Sequence, residues 1–430
     1  MQASESLDLI IIGGGIGGVI SLHYAKKAGL KVLLLEKQGV VGGLWSQLPA
    51  WQDIQNNPID WTLGDIPISG SYQPSIASNI QAWVDRFDLS SLMQLQTPVS
   101  KARETENGWM VTTPRKVYFS KFLVSATGAH NRAFIPRIER SNPSIREYHS
   151  SALRDPTELT GKDVVVVGGG ASAYDLLELC FEHKARRVVW VYRSLKWMVP
   201  TRKPKQLAGD IRGLAKQQMQ GVSVEQMNLE VNLDLQGRYE KFGLQEILPS
   251  GQFDFNRDQL VPGRRSMIEN FSKIERHRGE ITRIFDRTVQ LSCGEQVNAD
   301  LILWGTGYQI DLGYFESAQL ASITRLGELT RRCGGLFRSL DAPNLFFLAT
   351  GLDSTGVTPW AYAHACRSIV SHICGKAYLD DAPVLRKINH FELVKFLADR
   401  DPENYSPDSW FSVYRTLALT HPDSEPMPVP

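Results

Sequence analysis

Two glycine clusters, and the charged residues that follow them, are the parts of this chain equipped for chemistry. The first is Gly13, Gly15 and Gly18, with Glu36 standing 18 residues further on. Gly13 suits a tight turn, Gly15 lets a pyrophosphate approach the backbone without meeting a Cβ, and Gly18 lets a helix pack on a strand. A helix that opens here presents free N–H groups and a positive dipole end to phosphates. Glu36 is placed to accept hydrogen bonds from a ribose. The second cluster is Gly168, Gly170 and Ala173, alanine being an accepted variant in third place. Its strand end carries Arg193, 20 residues after Ala173, followed by Ser194 and Lys196. Positive charge where a ribose-binding acid would stand accommodates a 2′-phosphate, which predicts NADPH rather than NADH. A solvated basic turn is the plainer alternative.

The elements that must position these residues surround them. Residues 9–12 are an apolar run into Gly13, an amphipathic segment follows, and residues 32–35 are a second apolar run ending at Glu36. This spacing predicts strand, turn, helix, strand. Residues 164–167, the helix opened by Ala173, and residues 187–192 repeat the pattern. Three further apolar runs, 122–125, 301–304 and 345–348, end in a small residue, threonine and glycine: Ala126-Thr127-Gly128, Gly305-Thr306-Gly307 and Ala349-Thr350-Gly351. As a set they mark the chain crossing between two domains and closing over the first nucleotide. A helix is expected over 75–87 and another over 359–373. Short strands are expected near 93–99, 109–112, 117–119, 280–285, 288–292 and 296–298. Residues 48–74 lack a period, and 200–265 read as a polar, irregular excursion covering the second domain.

Bulk properties narrow the partners. A chain of 430 residues exceeds one ordinary core, so two domains are expected. Lysine plus arginine (47) nearly equals aspartate plus glutamate (46), which gives no nucleic-acid or anionic-membrane surface. No apolar stretch reaches the ~18 residues that span a bilayer, and neither MQASESLDLI nor the proline-rich HPDSEPMPVP reads as a leader or anchor. Cys180, Cys293, Cys333, Cys366 and Cys374 are widely spaced without C-x-x-C, which fits a reducing, cytoplasmic setting and excludes a redox disulfide of the usual spacing. His, Cys and carboxylates show no metal-ligand spacing, so no metal is expected. His149 reads as structural more readily than chemical.

Together, the two motifs about 155 residues apart, the segment from Lys37 to Trp45 and the small-Thr-Gly turns resemble the flavin-containing monooxygenases. This is the class B flavoprotein group that also holds YUCCA and Baeyer–Villiger enzymes. The E-K-x-x-x-x-G-G-x-W pattern is matched by Glu36, Lys37, Gly42, Gly43 and Trp45, and R-x-x-x-W by Arg193 and Trp197. Between the motifs the family carries F-x-G-x-x-x-H-x-x-x-aromatic. His149 is present here, but Pro143, Ile145 and Leu153 take the Phe, Gly and aromatic places.

The resemblance implies an α/β fold with two dinucleotide-binding (Rossmann-like) domains. A discontinuous FAD domain, 1–155 and 296–430, is interrupted by an inserted NADPH domain, 156–295. It implies FAD contacts from Gly13, Gly15, Ile16, Gly17, Gly18, Glu36, Lys37, Gly43, Leu44, Trp45, Val99, Ala126, Thr127, Gly128 and Gly351. It implies NADPH contacts from Gly168, Gly170, Ala171, Ser172, Ala173, Arg193, Ser194, Lys196, Trp197, Gly305, Thr306 and Gly307. A loop asparagine near the flavin corresponds to Asn56 or Asn57, for which an Asx-turn before Pro58 is the alternative.

The activity so implied is reduction of FAD by NADPH, addition of O2 at the flavin C4a atom, and transfer of oxygen to a small substrate with a soft N or S centre. A homodimer is compatible with it. Baeyer–Villiger oxygenation of a ketone, an NADPH:acceptor reductase without oxygenation, and a non-catalytic FAD- and nucleotide-binding module are the alternatives.

Overall fold

The computed structural model describes residues 6–54, 66, 68–201, 222–333, 337–348 and 358–376. The described chain divides into two compact units: residues 6–47, 66, 68–132, 309–333, 337–348 and 358–376 form the first, and 48–54, 133–201 and 222–308 the second.

The first unit opens with β1 (Leu7–Ile12), α1 (Ile16–Lys27) and β2 (Val32–Leu35). Lys26 and Lys27 end α1, where cations suit the negative pole of the helix. Then come α2 (Gln73–Arg86), with Pro74 in its first turn, and β3 (Met93–Gln94), β4 (Lys101–Thr105), β5 (Gly108–Thr112) and β6 (Val117–Ser125). The order β3-β2-β1-β6 is parallel, with β5 and β4 added antiparallel. The runs at 117–119 and 122–125, expected as separate strands, are one strand. Its Ser120 is buried and pairs with Trp109 and Leu7, which carries the ladder through the polar residues. A two-residue strand, β7 (Arg132–Ala133), follows.

The second unit contains β8 (Glu139–Pro143), β9 (Arg146–His149), β10 (Asp163–Val167), α3 (Ala171–Glu182), β11 (Arg187–Tyr192), β12 (Trp197–Val199), α4 (Val224–Lys241), β13 (Leu260–Pro262), α5 (Arg265–Glu269), β14 (Ile274–Arg278), β15 (Ile281–Asp286), β16 (Thr288–Leu291), β17 (Gln296–Asn298) and β18 (Leu301–Trp304). Five strands, β14-β11-β10-β18-β9, form an all-parallel sheet. Because β9 and β18 hydrogen-bond into it, this unit reaches from 133 to 308, wider than the 156–295 read from the sequence. Alternate residues bury on both faces, as an all-parallel sheet requires. Val165, Val167, Val189, Val191, Ile302 and Trp304 pack with Ile281, Ile284, Val289 and Leu291 of the β15–β16 hairpin. Each such side chain contributes about 1.5–3 kcal/mol on burial.

The described part of the excursion, residues 222–265, is more regular than expected. Ser223 caps the 18-residue α4, its Oγ accepting from the Gln226 N–H at 3.2 Å, and β12 pairs with β13 in parallel. The chain then returns to the first unit through β19 (Tyr308–Gln309), α6 (Ala318–Ala321), α7 (Leu326–Arg331), β20 (Leu345–Phe347) and α8 (Thr358–Ile373). β20 lies parallel along the far end of β6, beyond β5. No helix among the described residues is long and apolar enough to cross a membrane.

Candidate functional site: two glycine loops

In the first unit the turn after β1 brings three chain segments together. Gly13 has φ +108°, and a Cβ there would lie 2.5 Å from the Ala126 carbonyl oxygen at the end of β6. A Cβ on Gly18 would lie 1.8 Å from the Gly13 oxygen, so only glycine allows α1 to start this close to β1. Gly15 begins α1 with no side-chain cap. A Cβ there would meet only Gly43, at 3.6 Å. Conversely, a Cβ on Gly43 would come within 2.8 Å of the Gly15 Cα. The glycine pair Gly42-Gly43 is thus explained by the first loop: Gly42 N–H donates to the Gly14 oxygen at 2.8 Å and Gly43 rests on Gly15.

Glu36 ends β2 with its side chain 5% exposed. It accepts from the Gly14 N–H at 2.5 Å on one carboxylate oxygen and from the Gln38 N–H at 2.7 Å on the other. A carboxylate has about four acceptor positions, so Glu36 keeps capacity for two ribose hydroxyls. Thr97 N–H donates to the Glu36 carbonyl at 2.8 Å, which sets the segment holding half-buried Val99 beside this strand end. Leu44 and Trp45 are half-buried in the turn after Gly43, while Lys37 is exposed. Ile16 is buried, and Gly17 lies so close to Tyr362 of α8 that a Cβ would stand 3.0 Å from its ring. Thr127 is half-buried, and Gly128, at φ +80°, is open. Asn56, Asn57 and Gly351, with the rest of its Ala349-Thr350-Gly351 turn, lie outside the described residues.

The second unit repeats the loop with its own substitutions. Gly168 has φ +132°, and a Cβ there would stand 2.3 Å from the Gly305 oxygen. Gly170 begins α3 without a side-chain cap, and a Cβ on it would meet only Lys196 Cγ at 3.6 Å. Ala171 and Ser172 form the half-buried first turn, and Ala173 is fully buried against Gly305, where a Cβ would approach within 2.9 Å of the alanine methyl. The middle glycine, which the motif leaves unspecified, is also required: a Cβ on Gly169 would lie 1.9 Å from the Ser194 oxygen. Lys196 N–H donates to the Gly169 oxygen at 2.7 Å.

Arg193 is 80% exposed at the end of β11 and pairs with Glu280 at 2.9 Å. Arg278, which no motif indicated, ends the neighbouring β14 in register with Tyr192 and is exposed, so a second cation stands at the same strand ends. Trp197, expected among the nucleotide contacts, follows in β12. It is 5% exposed and packs edge-on against Phe253, in the core of the excursion.

Gly307 and Thr306 serve the turn after β18: Thr306 Oγ1 donates to the Phe134 oxygen, and the Gly307 oxygen accepts from the Phe134 N–H at 3.0 Å. That oxygen also accepts from His149 Nε2 at 2.9 Å. His149 Nδ1 accepts from the Ser151 N–H at 3.2 Å and bonds Ser151 Oγ at 2.8 Å, so the ring is neutral with its proton on Nε2. Burial lowers its pKa, partly opposed by the Gly307 bond. His149 is a clamp joining β9 to the turn after β18. Among the described residues no group of three His, Cys, Asp or Glu side chains could hold a metal ion.

Both loops fit a dinucleotide. Each offers an uncapped helix N-terminus and a glycine with clearance for a pyrophosphate, and each has polar groups at the adjoining strand end. The fold is therefore that of an α/β protein with two dinucleotide-binding (Rossmann-like) domains, one inserted in the other. More particularly, the chain belongs to the pyridine nucleotide-disulphide oxidoreductase family, whose model matches residues 10–240, more than half of the chain.

An uncharacterized oxidoreductase, CzcO, of Bacillus velezensis is 30% identical over 195 residues, 44% of this chain and 55% of the relative. The chain spans about half the length of the curated relatives it matches. A flavin-containing monooxygenase from Stenotrophomonas maltophilia superposes with a TM-score of 0.62 at 15% identity, covering 86% of this chain and 98% of that one. OTEMO in complex with FAD and NADP gives a TM-score of 0.66 at 18% identity over 87% and 85%.

Proposed function

We propose that the first unit binds FAD, that the second binds NADPH, and that the protein is an NADPH-dependent flavoprotein monooxygenase acting on a small molecule through a soft N or S centre. The observation that carries this reading is the opposite chemistry of the two strand ends. A buried, doubly hydrogen-bonded acid, Glu36, closes one loop, and two exposed cations, Arg193 and Arg278, stand at the other. An acid at that position receives ribose hydroxyls, whereas cations receive a 2′-phosphate. The membership of the family and the likeness to a flavin-containing monooxygenase support it.

When bound, FAD supplies hydride acceptance and oxygen activation at its C4a atom. This chain's residues bind and orient. The N-termini of α1 and α3 hold the two pyrophosphates, Glu36 holds the flavin nucleotide's ribose, and Arg193 with Arg278 holds the 2′-phosphate. Asn56 and Asn57 are the proposed asparagines near the flavin.

Stopped-flow absorbance tests the reading: the yellow protein is reduced with NADPH and mixed with oxygenated buffer. A transient species matching neither oxidised nor reduced flavin, with substrate-dependent O2 uptake, is expected. Direct return to oxidised flavin with turnover of a quinone or protein acceptor would identify a reductase, and no bleaching by NADPH would identify a binding module.

A further inference from the structure

The strand end that carries Arg193 also carries an acid whose backbone is fixed from both sides. Tyr192 and Arg278 are in register, and the Gly279 N–H donates to the Tyr192 oxygen at 2.9 Å, so the turn Arg278-Gly279-Glu280 is held beside the end of β11. On its other side the Glu280 N–H donates to Ser292 Oγ at 3.1 Å, and the Glu280 oxygen accepts from the Ser292 N–H at 2.8 Å. The side chain leaves this anchored position to meet Arg193 Nη1 at 2.9 Å, and it is 60% exposed. Two cations and one anion thus share the place where the second unit would distinguish a ribose 2′-phosphate from a 2′-hydroxyl.

Resting on the nucleotide reading of the second unit, we infer that Glu280 limits the preference of this unit for 2′-phosphorylated nucleotides. Its carboxylate occupies the guanidinium that the phosphate needs, and it repels the phosphate once displaced. The exposed pair is weak enough to open. The phosphate therefore binds, but with part of the benefit of Arg193 cancelled. A nucleotide without the 2′-phosphate bears no such cost.

The test is calorimetric binding of adenosine 2′,5′-bisphosphate and of 5′-AMP to the FAD-loaded protein, in wild type, Glu280→Gln, Arg193→Ala and the double variant. Glu280→Gln is expected to tighten the bisphosphate by roughly threefold to tenfold, with 5′-AMP changing less than about twofold. Arg193→Ala is expected to weaken the bisphosphate, and in the double variant the gain from Glu280→Gln shrinks. If Glu280→Gln left the bisphosphate unchanged while Arg193→Ala weakened it, the inference would fall and the nucleotide reading would stand. If Arg193→Ala also changed nothing, the nucleotide reading would fall and the inference with it. Unaltered circular dichroism of each variant separates either result from misfolding, since both side chains are exposed.

Discussion

The two glycine loops solve one packing problem with a methyl group on opposite sides. Where α1 crosses the end of β6, the helix contributes Gly18 and the strand contributes Ala126. Where α3 crosses the end of β18, the helix contributes Ala173 and the strand contributes Gly305. The second crossing has no room for two methyls; at the first, a methyl on Gly18 would stand an ordinary 3.5 Å from the Ala126 methyl, and it is the Gly13 oxygen that excludes it. In the second unit the added Cβ on Gly305 would lie 2.7 Å from the Ala173 backbone and 2.9 Å from its methyl. The alanine in the second motif and the glycine that replaces alanine in the late G-T-G-Y element are one substitution seen from two places in the sequence.

The largest effect expected from disturbing this arrangement is Gly18→Ala in the first unit. The new Cβ has a backbone oxygen 1.8 Å away and no flexible side chain to displace. A loss of at least about 3 kcal/mol is expected, read as protein recovered without yellow colour or as a fall in Tm of many degrees. Folding and colour like wild type would show that α1 can shift and that the packing constraint is not real.

A second difference between the units lies in their histidines, buried His149 and half-buried His23, and pH exposes it. His149 is bonded through both ring nitrogens, whereas His23 of α1 packs against Phe87 with ring centroids 4.0 Å apart and planes tilted by 47°. Burial, helped by Lys27, Arg367 and Lys26, lowers the pKa of His23 to about 4. A lowered histidine pKa means that the unfolded chain binds the proton first. The stabilisation is therefore complete above pH 6.5 and is lost as pH falls from 6.5 towards about 4. The loss reaches up to about 3 kcal/mol. Chemical unfolding monitored at several pH values should show this slope in wild type and a shallower one in His23→Phe; equal slopes would remove His23 as the cause.

The smallest effect tests the methyl exchange itself. Gly305→Ala alone is expected to cost about 2 kcal/mol by overpacking. Ala173→Gly alone is expected to cost about 1 kcal/mol as glycine in a helix. The double variant, which gives the second unit the residues of the first, should be more stable than the sum of the two losses by about 1 kcal/mol. Strict additivity in thermal melts would mean that the two crossings are not equivalent.

Much of this was legible in the chain because the constraints are local. The run from residue 9 to Glu36 and the run from 164 to Arg193 each place strand, glycine turn and helix within about 30 residues, so each motif could be read in a single window. The excursion was not legible in the same way. Val224, Met227, Val231, Leu235 and Tyr239 do fall on one helical face. Exposed Leu229 and Leu233, together with Asn232 and Gly237, blur that period in the sequence. Trp197 matched a family pattern by spacing, and what its ring packs against depended on Phe253, 56 residues away.

By itself the sequence determined two βαβ loops, the acid after the first and the base after the second, because backbone conformation near a glycine and the charge of a strand end travel with the residues. Only the tertiary structure decided that Gly43 rests on Gly15, that Gly305 makes room for Ala173, and that Arg278 and Glu280 join Arg193. Those contacts join residues 28 to 132 positions apart in the chain. Which strands lie side by side fixes them, and strand order is set by the packing of the whole sheet.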